Sequence, residues 1–232
     1  MKIEYKSLFF DLDDTLWDTQ HNNKECLKEI YIDYNFAQYY ESFEAFYDVY
    51  MPNNLKLWEQ YRNHQIDRKT LILERWLYIL RPMDVDDKEF TLKLNHDFLQ
   101  RTSTKTKLIS GTFELLEYLQ PYYRIFILSN GFREVQFLKI KNSGIAPYFE
   151  KVILSEDANI QKPHKGIFDY ALIATNSRRK ESIMIGDSWE ADIEGARQSK
   201  IDQIWYNPDK IDVKSFQPTY QAYTLAEIKT IL

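Results

Sequence analysis

The 232-residue chain has very little cysteine, the residue that forms disulfides and many structural zinc sites. Its one cysteine, Cys26, excludes an intramolecular disulfide and a cysteine-based zinc site. A lone thiol fits a reducing compartment, so we expect a cytoplasmic protein. No apolar run approaches the ~20 residues that cross a bilayer. Acidic Asp11 follows the start too closely for a secretory signal. We therefore expect no membrane partner.

The chain also lacks the excess of positive charge that is typical of nucleic-acid-binding proteins. Its 30 Lys and Arg residues are outnumbered by 35 Asp and Glu, which gives a net charge of -5. The densest basic run, residues 178–180, fits a solvated loop. Binding to a polyanion needs a basic surface. We expect no nucleic-acid polymer as a partner.

Short apolar runs recur along the chain, and each one ends in polar residues. They are Ser7–Phe10, Arg124–Leu128, Val152–Leu154, Ile183–Ile185 and Ile204–Tyr206. Unbroken apolar strands are typical of a parallel sheet that is covered on both faces. Helical segments separate the last four runs, so the sequence predicts a doubly wound α/β fold.

The first crossover is much longer than the others. Residues 11 and 129 are 118 positions apart, whereas a strand–helix–strand unit needs only about 30. The extra stretch has helical periodicity, with aromatic residues at spacings such as 43, 46, 47 and 50. We predict an all-helical insertion over 17–104, with 1–16 and 105–232 forming the α/β core. The aromatic residues are interpreted mainly as the packing of the inserted unit.

Polar side chains follow three of the predicted strands, at the edge of the sheet where ligands bind in open α/β folds. Asp11 and Asp13 follow the first strand, Ser129 ends the second, and Asp187 follows the fourth. Carboxylates at close range repel one another unless a cation neutralises them. Oxygen ligands without His or Cys suit Mg²⁺. With Lys162 and the serine hydroxyl nearby, the edge could stabilise a phosphoryl group in transfer.

Four motifs, in order, resemble those of the haloacid dehalogenase (HAD) superfamily. They are Asp11-Leu12-Asp13-Asp14-Thr15, Ser129-Asn130, Lys162-Pro163 and Gly186-Asp187-Ser188-Trp189-Glu190-Ala191-Asp192. The resemblance covers residues 7–206 and implies a Rossmann-like core, with the insertion as a C1-type helical cap. The stretches 130–132 and 155–156 are most similar to the YjjG-type pyrimidine nucleotidase branch.

The resemblance implies roles for the first two motifs. Asp11 would be the nucleophile that forms an aspartyl-phosphate, and it would also contact the metal. Asp13 would be the general acid and then the general base, with its backbone carbonyl on Mg²⁺. Thr15 would steady the loop and Asp13. Ser129 and the Asn130 backbone N–H would bind the transferring phosphoryl group.

The resemblance also implies roles for the later motifs. Lys162 would offset the negative charge of nucleophile and phosphate, and Asp187 would bind Mg²⁺. Asp192 and Ser188 would support these groups from behind. Two further residues are candidates for substrate contact, Trp17 and Gly131.

The resemblance implies a Mg²⁺-dependent hydrolase of a small phosphomonoester, with a nucleoside monophosphate as one candidate substrate. Three alternatives remain open: a sugar phosphomutase, a haloacid dehalogenase, and a non-catalytic binding protein on the same fold. Dehalogenases need no acid two residues after the nucleophile, so Asp13 favours phosphate chemistry. The uncompensated acids disfavour a purely binding role. The oligomeric state is not predicted by the sequence.

Overall fold

The computed structural model describes residues 4–83, 87–213 and 215–232, and they fall into two compact units. The first unit comprises Met1–Thr19 and Thr106–Leu232, and the second comprises Gln20–Lys105. The second unit therefore starts three residues after the predicted start at 17 and ends one residue after the predicted end at 104. Trp17 belongs to the first unit because it forms β-bridges with Asp13 and Leu108. No helix within the described ranges is long and apolar enough to cross a membrane.

Strands and helices alternate in the first unit, and the second contains helices. The strands are β1 (Ser7–Phe10), β2 (Arg124–Ser129), β3 (Lys151–Leu154), β4 (Ser182–Gly186), β5 (Asp202–Tyr206) and β6 (Tyr220–Ala222). The α-helices of the described residues are α1 (Thr19–Asp33), α2 (Phe43–Arg62), α3 (Arg68–Leu80), α4 (Lys88–Thr104), α5 (Thr112–Leu119), α6 (Arg133–Asn142), α7 (Ser155–Ala158), α8 (Lys165–Ala174), α9 (Gly195–Gln198) and α10 (Leu225–Ile231).

The six strands form one parallel sheet in the order β3-β2-β1-β4-β5-β6. Alternate residues of β1 enter different hydrophobic clusters: Leu8 and Phe10 join one, and Phe9 joins the other. The sheet is thus covered on both faces, which explains its unbroken apolar strands. The predicted doubly wound α/β fold is confirmed.

Two local features differ from the sequence prediction. The edge strand β6 was missed, because three residues with one buried side chain leave little hydrophobic pattern. The helical segment predicted between the last two apolar runs is a π-helical turn at Trp189–Glu194 followed by the short α9. Ser188 caps this turn by accepting a hydrogen bond from the Ala191 N–H at 3.2 Å.

Four helices, α1 to α4, make up most of the second unit. Side chains cap three of them: Ser42, Asp67 and Asp87 accept hydrogen bonds from the backbone N–H three residues later. Helix α4 ends at Thr104, the residue at which the predicted insertion ends.

Aromatic rings fill the interior of the second unit. Phe46 is fully buried, and its ring centroid lies 5.1 Å from that of Phe36 and 5.5 Å from that of Tyr40. Tyr50 stacks on Phe46 and makes a tilted contact with the ring of Trp76. The interpretation of these aromatic residues as packing is confirmed, since such rings contribute most of the apolar area buried in a small helical unit.

Candidate active site

The central strands of the sheet bring the predicted residues of the first unit to one edge. Strand β1 lies between β2 and β4, and all three run in parallel. Asp11 follows β1, Ser129 ends β2, and Asp187 follows β4. Parallel neighbours end at the same edge, so sequence positions more than 50 residues apart become neighbours there.

Lys162 lies at the centre of a buried ionic cluster. Its Nζ lies 2.7 Å from Asp11 Oδ1 and 2.6 Å from Asp192 Oδ1, and it also donates to the Leu128 carbonyl at 2.7 Å. The lysine side chain is 2% exposed and that of Asp192 is fully buried. Burial by itself would lower the pKa of Lys162, but the two carboxylates raise it above its ordinary value. The lysine is therefore held in its charged form.

Asn130 holds the loop that carries this lysine. Its side-chain amide donates to the Lys162 carbonyl at 2.9 Å, and its Oδ1 accepts from the Lys162 N–H at 2.8 Å. The resemblance implies that the Asn130 backbone N–H contacts the phosphoryl group. The structure adds a side-chain function, which is to fix the position of the catalytic lysine candidate.

Thr15 contacts Asp187, whereas the resemblance implies that it steadies Asp13. Its hydroxyl donates to Asp187 Oδ1 at 2.8 Å and accepts from the Asp187 N–H at 3.0 Å. The Asp187 carbonyl accepts from the Trp205 indole at 2.9 Å. The first motif is thereby joined directly to the fourth.

The acidic side chains of the edge suit a hard cation. One carboxylate oxygen from each of Asp11, Asp187 and Asp192 lies within 4.8 Å of the others. Burial raises the pKa of Asp11 to about 7, with further contributions from Asp192 and Asp13, although Lys162 opposes the shift. Burial also raises the pKa of Asp187 well above its ordinary value, and Asp11 and Asp192 add to this. Carboxylates that resist ionisation in this way are stabilised by a divalent cation.

Gly186 makes room for this arrangement, because an alanine Cβ at this position would lie 2.7 Å from Asp192 Cβ and closer still to its carboxylate. Asp192 is fully buried and bound to Lys162, so it has little freedom to move. We expect Gly186→Ala to lower the free energy of unfolding by about 1–3 kcal/mol. Chemical denaturation would measure this.

Gly166→Ala is the control for that substitution. A Cβ on Gly166 would meet the ends of the flexible Ile160 and His164 side chains. We expect this change to remain within about 1 kcal/mol of wild type. Equal effects of the two substitutions would contradict the role assigned to Gly186.

Asp13 is held by Thr19, Gln136 and Lys139, which are not among the predicted site residues. Its Oδ1 lies 2.6 Å from Lys139 Nζ and accepts from the Thr19 hydroxyl at 3.0 Å, while its Oδ2 accepts from Gln136 Nε2 at 2.7 Å. Burial by itself would raise the pKa of Asp13, but Lys139, followed by Gln136 and Thr19, lowers it. The signal for Gln136 and Lys139 was their spacing of three residues, which places both on one face of α6.

The two residues considered for substrate contact lie beside this group. Trp17 is fully buried in the core of the first unit, and Lys139 Nζ lies 4.1 Å from the centroid of its ring. Gly131 directly precedes Phe132, the N-cap residue of α6, and its N–H donates to the Ser129 hydroxyl at 3.1 Å. The Ser188 N–H donates to Asp192 Oδ2 at 3.1 Å and so helps to hold the carboxylate that pairs with Lys162.

Known proteins resemble this chain over most of its length. The family model of haloacid dehalogenase-like hydrolases matches residues 8–206. The chain is 31% identical over 228 residues to pyrimidine 5'-nucleotidase PynA of Streptococcus pneumoniae, covering 97% of this chain and 93% of PynA. It is 29% identical to pyrimidine 5'-nucleotidase YjjG of Escherichia coli, covering 99% of both chains.

A solved structure is similar over nearly the whole length. The HAD-hydrolase YfnB of Bacillus subtilis gives a TM-score of 0.85 at 28% identity, covering 98% of both chains, and its crystal structure is bound to magnesium. The family model covers well over half of the chain, including every residue of the ionic cluster. The chain therefore belongs to the haloacid dehalogenase-like hydrolase family.

Proposed function

We propose that this protein is a Mg²⁺-dependent phosphomonoester hydrolase that acts through an aspartyl-phosphate at Asp11. The observation that carries the proposal is the position of Asp11, directly after the central strand and 2.7 Å from the buried ammonium of Lys162. A carboxylate held in this way at a strand end is suited to nucleophilic attack on phosphorus. PynA and YjjG support pyrimidine nucleoside 5'-monophosphates as the first substrates to test.

Two displacements at phosphorus would complete the reaction. A carboxylate oxygen of Asp11 forms a bond to phosphorus while the ester oxygen leaves with a proton from Asp13. Water then gives a proton to the Asp13 carboxylate and attacks phosphorus, which breaks the bond to Asp11 and releases phosphate. Lys139 lies 2.6 Å from Asp13 and favours the ionised carboxylate, which is the form that the second step needs.

The remaining polar groups of the first unit would stabilise charge during both steps. Lys162 is fixed between Asp11 and Asp192, so its ammonium would offset the charge that gathers on the phosphoryl oxygens. The Ser129 hydroxyl would donate to one of those oxygens, together with the Asn130 backbone N–H. Preorganised donors of this kind are usually the largest contribution to phosphoryl transfer.

Mg²⁺ would be held by the carboxylates of Asp11 and Asp187, with the Asp13 carbonyl as a third ligand. The close carboxylate oxygens and the raised pKa values of Asp11 and Asp187 support this assignment. When bound, the ion would neutralise negative charge between the nucleophile and the phosphoryl group. The Thr15 hydroxyl would orient Asp187 for this purpose.

Phosphate release from a panel of esters tests the proposal. The panel contains pyrimidine and purine nucleoside 5'-monophosphates, sugar phosphates and p-nitrophenyl phosphate, each with Mg²⁺ and with a chelator. We expect Mg²⁺-dependent release, with pyrimidine nucleotides among the best substrates. Folded wild-type protein that releases no phosphate from any ester with Mg²⁺ would overturn the proposal, and haloacids and bisphosphate-primed mutase activity would then be tested.

Magnesium is also expected to stabilise the protein more strongly at high pH. The pKa of Asp11 is raised to about 7, so without a cation its contribution to stability falls as the pH rises from about 4 to about 7. A cation binds the ionised carboxylates and offsets this loss. We expect 10 mM Mg²⁺ to raise the melting temperature several degrees more at pH 8 than at pH 5. An equal shift at both pH values would contradict the assignment of these carboxylates as ligands.

A further inference from the structure

One glutamine on α6 joins two groups of the proposed reaction. The Gln136 side chain is fully buried, and its single amide nitrogen lies 2.7 Å from Asp13 Oδ2 and 2.7 Å from Ser129 Oγ. An amide nitrogen carries two hydrogens, so it can donate to both partners at once. The proposed proton-transfer group and the proposed phosphate-binding hydroxyl are thus connected by one side chain.

The hydrogen-bonding capacity of Asp13 determines which end of the Gln136 amide faces it. An ionised carboxylate can only accept hydrogen bonds, so the nitrogen must face Asp13. The oxygen Oε1 is then directed elsewhere, and within the described ranges it is buried without a hydrogen-bond partner. A buried, unpartnered carbonyl oxygen destabilises a fold. An apolar side chain of similar length would serve a purely structural role better, so the amide is kept here for its donors.

The bond from Gln136 also determines what the Ser129 hydroxyl can do. The Ser129 oxygen accepts from Gln136 Nε2 at 2.7 Å and from the Gly131 N–H at 3.1 Å. A hydroxyl has two acceptor positions and one proton, so both acceptor positions are filled. The proton remains to be donated. Ser129 is thereby prepared to donate to an acceptor such as a phosphoryl oxygen.

Gly131 provides the space that this glutamine occupies. A Cβ on Gly131 would lie 2.8 Å from Gln136 Cγ and closer still to the amide group. Any side chain at position 131 would push the glutamine out of its place between Ser129 and Asp13. The absence of a side chain at Gly131 therefore leaves the space that the Gln136 side chain, five residues later, occupies.

We propose that Gln136 is a positioning residue of the phosphoryl-transfer site, which orients the Ser129 proton toward the phosphoryl group and the Asp13 carboxylate toward the leaving oxygen. The proposal rests on the function proposed above and adds a determinant of its efficiency. Lys139, one turn further along α6, holds the other oxygen of Asp13 at 2.6 Å. One face of α6 thus supports both steps of the reaction.

Gln136→Met tests this assignment, because methionine has a similar length and no donor. The value of kcat/KM is compared for p-nitrophenyl phosphate, whose leaving group needs no proton, and for the best nucleoside 5'-monophosphate, whose alkoxide does. We expect a fall of about 10-fold for the aryl ester, from the loss of Ser129 orientation. For the alkyl ester we expect about 100-fold or more, because proton transfer suffers as well. The melting temperature is expected to stay at or above that of wild type.

Gly131→Ala provides a second variant that displaces the same glutamine without changing it. We expect it to lower the alkyl-ester kcat/KM more than the aryl-ester value, as Gln136→Met does. Gln120→Met is the matched control, since the Gln120 amide is exposed and donates to the Pro147 carbonyl. We expect this control to leave both kcat/KM values unchanged.

The outcomes separate this inference from the proposed function. A folded wild type that hydrolyses neither ester would overturn the function, and the inference with it. An active wild type whose Gln136→Met variant loses the same factor on both esters, or loses nothing, would overturn the inference and leave the function standing. A fall in melting temperature together with an equal loss on both esters would assign Gln136 a structural role instead.

Discussion

Asp11→Asn is expected to reduce phosphate release by about 10⁴- to 10⁶-fold, because an amide cannot form the acyl-phosphate bond. The protein is expected to remain folded. Asp11 is one of three acids whose carboxylate oxygens lie within 4.8 Å of one another, and Lys162 keeps its bond to Asp192 in the variant. Removing one of several crowded carboxylates relieves repulsion. We therefore expect a melting temperature without Mg²⁺ that is equal to or above that of wild type.

Asp169→Asn is the matched control for this experiment. Asp169 lies on α8 and pairs with Arg179 at 2.6 Å, outside the acidic cluster. It undergoes the same loss of one charge, and we expect its turnover to stay within about twofold of wild type. If Asp11→Asn kept a tenth or more of wild-type turnover with well-folded protein, Asp11 would not be the nucleophile.

Lys162→Met is expected to be the most damaging single substitution for stability. It would leave the carboxylates of Asp11 and Asp192 buried without their cation, and breaking a buried ion pair from one side costs about 3–5 kcal/mol. For a chain of this size the melting temperature should fall by about 10 °C. Activity should be lost even in the fraction that folds, because no ammonium would offset the phosphoryl charge.

A second substitution distinguishes charge from packing in this prediction. Lys162→Met combined with Asp192→Asn removes one of the stranded charges, so it should recover part of the stability that the single variant loses. Lys165→Met is the surface control, since this side chain is 58% exposed and its pair with Asp169 contributes little. A double variant no more stable than Lys162→Met would contradict the electrostatic explanation.

The central strands of the sheet could be predicted from the sequence better than the edge strand and the helix ends. Strands such as Ser7–Phe10 are buried on both faces, so their apolar runs stand out in any reading of the chain. The edge strand Tyr220–Ala222 has only one buried side chain and produces no such run. The helix ends are also hard to predict from apolar periodicity. The capping hydrogen bonds of Ser42 and Asp87 set where α2 and α4 begin.

The site could be predicted where its residues directly follow strands. Asp11 and Asp187 do so, and their convergence follows from the parallel sheet alone. Gln136 and Lys139 were missed because they reach the site from the middle of a helix, where a polar side chain ordinarily indicates a solvated face. Their burial becomes visible only when α6 is placed beside the loop that carries Asp13.

The position of β1 in the sheet has a consequence for folding during synthesis on the ribosome. Ser7 pairs with Arg124, so β1 must wait for a partner that lies about 117 residues later in the chain. At ~5–20 residues per second, that partner is synthesised about 6–23 s afterwards. Closing the intervening loop is far faster than this. Translation speed therefore sets when the middle of the sheet can form, and until then the apolar β1 is exposed to whatever binds nascent chains.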